Sequence, residues 1–525
     1  MSLKTKSLAP MKSMHLPLTR DSAGQLFRLV LLGFGLLLFI AFLAFIGLLI
    51  PFLGIRFTFL LGALFFGASL LFVPAEWVLY LAFVMIFALL GPIKYFGSID
   101  PQWAGYILGV SMFIRALMEA SFKAGTNKNV IFRWSAGYFL SGFVVVALFS
   151  TLISPPSAYI ALISIRGLVM LWGFFFLIAI CDFPAKTFPR IAVILALIGI
   201  IQGPVAIVQR IFFASSPVVY SQSPWDAVVG TFDGYRQLGG DSGGMGIFMV
   251  ALLAAVLIFW KKKRLSTGWA LLLSAAYLVP IFTAEVKVVY VLIPLMFGMI
   301  FASEFRRNVP IAILALLLTV GGIYSLDKVY SVLNVSKYQT HQQTLDERLN
   351  TIFEFSVGTD VYNEGGEMGR VTALVFWWDR HSLASNPSAF LLGDGMGTSA
   401  DKTGTGEEYG PDVQTFNFAN STAAILLWDY GAIGFLIYLG MMVALVGKLR
   451  NLSRNETIPP DHRCLLEAGS VYAALLIVTL LYNKGLAGQS QPTLLIFVSL
   501  MGYAAYWIRE TSRTLRDTAG KQRRV

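Results

Sequence analysis

The chain has 525 residues, of which 56% are apolar and only 13% charged, and it carries a formal charge of +11. That balance excludes an ordinary soluble domain and points to a polytopic membrane protein. The basic excess sits in short loops between apolar runs, as membrane topology requires, so it gives no reason to expect nucleic acid as a partner.

Runs of about 17–25 apolar residues are long enough to cross a hydrocarbon core of about 30 Å. They recur from Leu29 to Trp507. Backbone polar groups in lipid must pair internally, so the fold class expected is all-α, with about 14 transmembrane helices. The predicted spans are 29–50, 57–73, 76–91, 103–118, 134–153, 158–181, 191–213, 244–260, 268–283, 286–303, 310–325, 431–447, 465–482 and 490–507. The first run is too long for a signal-peptide core and lacks a small-residue cleavage site, so it reads as a retained helix. The organisation expected is a cytoplasmic tail over 1–28, helices over 29–325, an extracytoplasmic loop over 326–430, helices over 431–507 and a basic cytoplasmic tail over 508–525.

Lys and Arg in short loops mark the cytoplasmic side. With these spans, the N-terminal tail, Lys123 to Arg133, Lys186 to Arg190, Lys261 to Arg264, Arg306-Arg307, Lys448 to Arg463 and the tail from Arg509 all fall on that side. The segments Ala214 to Gly243, Thr283 to Lys287, Lys328 to Asn420 and Asn483 to Gln489 then face outwards. Cys181 and Cys464, the only cysteines, lie near predicted cytoplasmic helix ends, which argues against a structural disulfide and against a Cys/His metal cluster. No Walker or dinucleotide glycine fingerprint occurs, so no nucleotide cofactor is expected.

The long polar insert is the unusual feature. Thr344 to Phe355 and Glu367 to Ala384 show helical apolar spacing with charges between, as amphipathic helices at the outer surface would. Gly393 to Pro411, rich in glycine and acid, reads as a mobile lid or exposed loop.

Several side chains in these outer segments suit an anionic substrate. Arg370 opens the second amphipathic helix, where a guanidinium and free backbone N–H groups can converge on one phosphate. Lys287 sits in the hairpin Thr283 to Lys287, within reach of Glu285 or of the interface. Arg166 lies about 13 Å along its helix from the outer end near Ser157, and a cation that deep should face a polar cavity or a structural partner. The run Gly230 to Gly234, then Arg236 and Gly239 to Gly244, ends at a helix start, as a glycine-rich anion loop or a turn capped by Ser242 would. His381, after Trp377-Trp378, reads as surface decoration ahead of catalysis, with the tryptophans as interfacial anchors or sugar-stacking faces. The base candidates are Asp233, Asp241, Glu285, His381 and Asp412.

Taken in order, these pieces resemble the bacterial O-antigen ligase and O-antigen/exopolysaccharide polymerase superfamily, over roughly Ile200 to Phe435. The resemblance rests on Gln209 followed by Gly230-Thr231-Phe232, the hairpin with Lys287, Gly369-Arg370 with tryptophan downstream, and Leu392 to Gly397. Asn420-Ser421 and Leu426-Leu427 before Gly431 to Gly434 complete it. It implies transfer of an undecaprenyl-pyrophosphate-linked glycan to a sugar acceptor in the plasma membrane, with neither nucleotide sugar nor metal. It also implies that Lys287, Arg370 and Asn420 carry the reaction and that Arg236 and Arg166 help bind the donor pyrophosphate. In the ligases an arginine usually stands at Lys287 and a His-Asn pair at Asn420-Ser421. Lysine loses the bidentate fork, and asparagine cannot act as a base near neutral pH.

Those departures point to the polymerase branch, in which the acceptor is another lipid-linked repeat. A chain-length regulator and export machinery are the partners such an enzyme would have, besides membrane lipid. The alternatives are a ligase that moves glycan to another acceptor, and a transporter or flippase for the lipid-linked oligosaccharide. A structural subunit of a synthesis complex is the remaining reading.

Overall fold

The computed structural model describes residues 62, 65–97, 101–122, 135–156, 160–161, 164–165, 171–214, 227–236, 239–284, 286–308, 310, 321–322, 354, 357–359, 368–399, 419–487 and 490–522. The predicted span 29–50, and nearly all of the predicted span 310–325 and of the predicted helix 344–355, lie outside them. The chain divides into two units, Met1–Val73 and Pro74–Val525. In the first, residues 65–69 are helical and end in a turn.

The described residues of the second unit are mostly helical. Its elements are α1 Ala75–Phe96, α2 Gln102–Phe122, α3 Ser135–Ile153, α4 Trp172–Ile180, α5 Thr187–Phe212, α6 Ser242–Lys261, α7 Thr267–Ala284, α8 Val289–Ile300 and α9 Ala302–Arg307. After the insert come α10 Arg370–Arg380, α11 Pro387–Leu392, α12 Thr422–Ser453, α13 Pro460–Thr479 and α14 Gln491–Gln522. One short antiparallel pair, β1 Gly234–Tyr235 with β2 Gly239–Gly240, precedes α6. Among the described residues, seven helices are long and apolar enough to cross a membrane: α1, α5, α6, α7, α12, α13 and α14.

The helices pack as a bundle in which α12 lies against α3 and α13, α6 against α7 and α13, and α4 against α2 and α14. Trp428, Tyr277, Tyr430, Tyr438 and Phe174 are fully buried among them. Outward-facing leucines such as Leu152, Leu197, Leu271 and Leu436 are exposed, as the lipid-facing surface of a membrane protein requires.

Two helices depart from regular geometry. In α1, Met85–Leu89 is π-helical, just before Pro92. Proline has no N–H, so the residue five on from Phe87 has no proton to give its carbonyl. In α12 the backbone breaks at Gly431 (φ 66°), so the run predicted to start a span at 431 is preceded by a separate helical stretch, Thr422 to Tyr430.

Two expectations are corrected here. The segment after Leu392 is no exposed lid: most of Gly393 to Ser399 is buried. Gly393 (φ 77°) approaches so closely that a Cβ there would lie 2.5 Å from the Tyr430 nitrogen. The Asp394 N–H donates to the Trp428 carbonyl (2.8 Å), and the Ser399 N–H to Asp429 Oδ1 (2.9 Å). Residues 400–411 of the same segment lie outside the description. His381, expected on the surface, is 5% exposed. Trp377 stacks on it, Trp428 meets it edge-on, and Asp394 Oδ2 lies 2.7 Å from its Nε2.

At the end of the bundle away from Arg370, short ionic contacts join the basic segments. Arg509 donates to the carbonyls of Ala179, Ile180 and Cys181 and pairs with Asp182 (3.0 Å). Lys261 pairs with Glu304 (2.9 Å) and Lys262 with Glu467 (3.3 Å). The guanidinium neutralises the carbonyl end of α4, where helix dipoles favour a cation.

Candidate functional site

At the opposite end, the connection from Tyr482 to Ser490, between α13 and α14, gathers groups far apart in sequence. Arg370, the first residue of α10, donates through Nε to the Tyr482 carbonyl (3.1 Å), and its guanidinium lies 4.1 Å above the Tyr482 ring. The carbonyl of the next residue, Asn483, accepts from the Thr422 N–H (3.0 Å) and hydroxyl (2.6 Å) at the start of α12. Its side-chain amide donates to Asp241 Oδ1 (3.4 Å) at the start of α6.

Asp241 is the N-cap of α6 and accepts from the Gly244 N–H (2.8 Å), one residue earlier than the Ser242 cap expected. Burial pushes its carboxyl up to about 6, against the pull of Ser490, the Gly244 N–H and Asn483, with the Asp233 charge adding to the rise. Asn420 donates its side-chain amide to the Met368 carbonyl, two residues before Arg370. Its Oδ1 is buried with no hydrogen-bond partner among the described residues. A buried acceptor left unpaired is uncommon and calls for an explanation.

The N-termini of α6, α10, α12 and α14 thus meet around one connection. Each is the positive end of a helix dipole, so the electrostatics favour an anion. Lys287 lies in the turn before α8: it is half-buried, and the adjoining Val286 packs against Gly246 in the second turn of α6.

The glycine segment before α6 is held from beneath by two buried glutamines two turns apart on α5. Gln209 accepts from the N–H groups of Val229 (3.0 Å) and Gly230 (2.7 Å) and donates to the Gly230 carbonyl (2.8 Å). Gln202 accepts from the Thr231 N–H (2.8 Å) and donates to the Thr231 hydroxyl. That hydroxyl in turn donates to the Phe87 carbonyl in the π-helical turn of α1. Gly91 lets the two backbones meet, since a Cβ there would lie 2.0 Å from the Thr231 oxygen.

Further along the segment, Asp233 is paired with Lys94 near the end of α1, at 2.9 and 3.0 Å for its two oxygens. The Asp233 carbonyl accepts from the Asp241 N–H (2.8 Å). Arg236 lies 4.4 Å over the Phe213 ring.

Of the residues singled out from sequence, Arg370 and Asp241 contact Tyr482 and Asn483, Asn420 is tied to Met368 two residues before Arg370, and Lys287 and Asp233 lie on neighbouring segments. Asp233, with both oxygens on an ammonium, is poorly placed to act as a base. His381 is about 16 Å from Arg370 along α10, by the 1.5 Å rise per residue, and its partners are structural. Arg166, Glu285 and Asp412 lie outside the described residues. Sequence reading missed Lys94, Gln202, Tyr482 and Asn483. Gln202 carried one usable signal, its spacing of seven from Gln209 on an apolar helix. No protein-family model matches this chain, and no curated protein matches it.

Proposed function

We propose that the protein is a polysaccharide polymerase of the bacterial plasma membrane. In this reading it joins undecaprenyl-pyrophosphate-linked repeat units into an exopolysaccharide, capsule or O-antigen. About 14 helices span the membrane, both termini are cytoplasmic, and the 326–430 insert faces outwards. The observation that carries the reading is the meeting of Arg370, Asn420 and Asp241 with several helix N-termini at one end of a bundle of apolar helices.

Each residue then has a chemical task. The bond between the donor's anomeric carbon and the pyrophosphate oxygen breaks, and one forms between that carbon and an acceptor hydroxyl. Negative charge grows on the departing undecaprenyl pyrophosphate, where Arg370, Lys287 and Arg236 stabilise it. The hydroxyl proton passes to the Asp241 carboxylate, which is largely ionised at neutral pH yet more basic than an exposed aspartate. Asn420 Oδ1 accepts a hydrogen bond from a sugar hydroxyl and orients it. Asn420 stands where a ligase would have histidine, which favours a polymerase over a ligase.

The test uses purified full-length protein in detergent with undecaprenyl-pyrophosphate-linked repeats and a chelator. The expected result is a ladder of longer glycans that is lost in Arg370→Ala at equal folded protein. No ladder from folded protein with authentic substrate would overturn polymerisation, leaving ligation to another acceptor, or transport.

A further inference from the structure

Lys94 plays no part in the scheme above. It ends an apolar helix, where a lysine ordinarily turns its ammonium out to the interface. Here the ammonium turns inwards: the side chain is 7% exposed and grips both oxygens of Asp233, 139 residues away in the chain. Its charge also sits 4.4 Å over the Tyr235 ring. Stability alone is a weak reason to keep such a pair, because apolar residues of similar volume commonly replace buried ion pairs without loss.

The surroundings supply a better reason. Asp233 is the more exposed partner, at 23%, and forms one wall of a narrow cleft otherwise lined by Ile86, Leu90, Gly91, Gln491 and Pro492. Ile86, Leu90 and Pro492 give that cleft an apolar lining around the one exposed edge of the ion pair. The pair also borders the reacting groups, since the Asp233 carbonyl holds the Asp241 N–H.

We propose that Lys94 is a phosphate-binding residue of the donor site, and that Asp233 is the carboxylate that occupies its ammonium when no donor is bound. The inference rests on the polymerase reading. A pyrophosphate diester brings two negative charges against one for the carboxylate, so exchange at the ammonium favours the donor. Asp233, released, turns its carboxylate aside, and Arg236 on the same segment supplies a second cation to the head-group. No covalent step is involved.

The experiment measures binding of undecaprenyl pyrophosphate to full-length protein in detergent, with inorganic pyrophosphate and undecaprenol as competitors. Lys94→Met alone leaves Asp233 without its counter-ion, so the decisive variant is Lys94→Met/Asp233→Asn, which removes both charges and should keep the wild-type melting temperature. Its expected affinity is lower by roughly ten- to hundredfold, the worth of one hydrogen bond to a charged group. Asp233→Asn alone should bind as tightly as wild type or more so, because the competing carboxylate is gone. Inorganic pyrophosphate should displace the lipid.

Wild-type affinity in the double variant would overturn the proposal and leave Lys94 a structural pin. So would weakening by Asp233→Asn, or displacement by undecaprenol alone. Arg370→Ala, run in parallel, separates the two ideas. A wild-type ladder in that variant overturns the polymerase assignment whatever Lys94 does. A lost ladder there, with unchanged binding in the double variant, overturns Lys94 alone.

Discussion

The guanidinium of Arg370 meets Tyr482 twice, through an Nε–H bond to the carbonyl (3.1 Å) and by lying 4.1 Å above the ring. Two contacts with one residue fix both the edge and the plane of the guanidinium before any substrate arrives. Such preorganisation lets a charged donor stabilise a transition state without reorganising at the moment of reaction. The same contacts fasten the insert to the α13–α14 connection, so the residue that would bind substrate also docks its own helix.

A lysine at this position keeps the charge but has neither the planar face nor the rigid fork of donors. Arg370→Lys should therefore accumulate in the membrane as wild type does and lose polymer formation on the order of 10²-fold, the usual cost of one such donor. Product formed per minute at equal folded protein is the measurement. Activity within a few-fold of wild type would mean that charge alone suffices there.

Asp241 gives a pH dependence with opposite signs for activity and stability. As a base it must be ionised, so the rate should rise with pH up to about 6 and then level off. Its folded value lies above the ordinary 3.8, so between about 4 and 6 the folded protein keeps a proton that the unfolded chain has released. Stability is then greatest below that window, falls through it and is flat above it. Asp241→Asn preserves the N-cap, since asparagine caps as well as aspartate. It should flatten both profiles and lower the rate by about 10²–10⁴-fold. Asp241→Ala loses the cap as well and should melt lower. A wild-type rate in the asparagine variant would remove Asp241 from the mechanism.

His381 makes the contrary prediction. Its ring is held between Trp377 and Trp428 and tied to Asp394 and to the Trp377 carbonyl (3.1 Å). His381→Ala should destabilise by roughly 2–3 kcal/mol, as breaking a buried packed network does. At equal folded protein it should form polymer within about threefold of wild type, well short of the 10² expected for a lost base. A large loss of rate with an unchanged melting curve would move the base from Asp241 to His381.

What could be read from sequence follows the range of the forces involved. Apolar runs determine where a helix can cross lipid, so 244–260 and 268–283 fell within two residues of α6 and α7. Glycine was harder to interpret. Gly393 to Gly397 has the composition of a loop, yet its positive-φ glycines let the main chain fit closely between packed helices, where any side chain would clash. The cluster at Tyr482 and Asn483 left no local trace, because it joins α10 and α12 through backbone carbonyls that every residue carries and α6 through one side-chain amide. The pairing of Lys94 with Asp233 was invisible too, since a single lysine at a helix end reads as an interfacial anchor until its distant partner is known.

The glutamines under the glycine segment allow a last prediction that separates fold from chemistry. Gln209 satisfies three buried backbone groups, the N–H of Val229 and both polar groups of Gly230, whereas Gln202 serves the Thr231 N–H and hydroxyl. Gln209→Leu keeps the volume but leaves those three groups without partners, at about 1–3 kcal/mol each. It should cost more stability than Gln202→Leu, because the Thr231 hydroxyl still has the Phe87 carbonyl to donate to. Gln209→Glu should fall between wild type and leucine, since a carboxylate can accept both N–H groups but cannot donate to the Gly230 carbonyl. Melting temperatures of the purified variants test that order, and equal values for Gln209→Leu and wild type would show that the segment is not held from α5. Since this segment carries Asp233, Arg236 and Asp241, polymer formation in the leucine variant should fall with its stability. In Arg370→Lys, by contrast, the rate should fall by far more than the loss of stability accounts for.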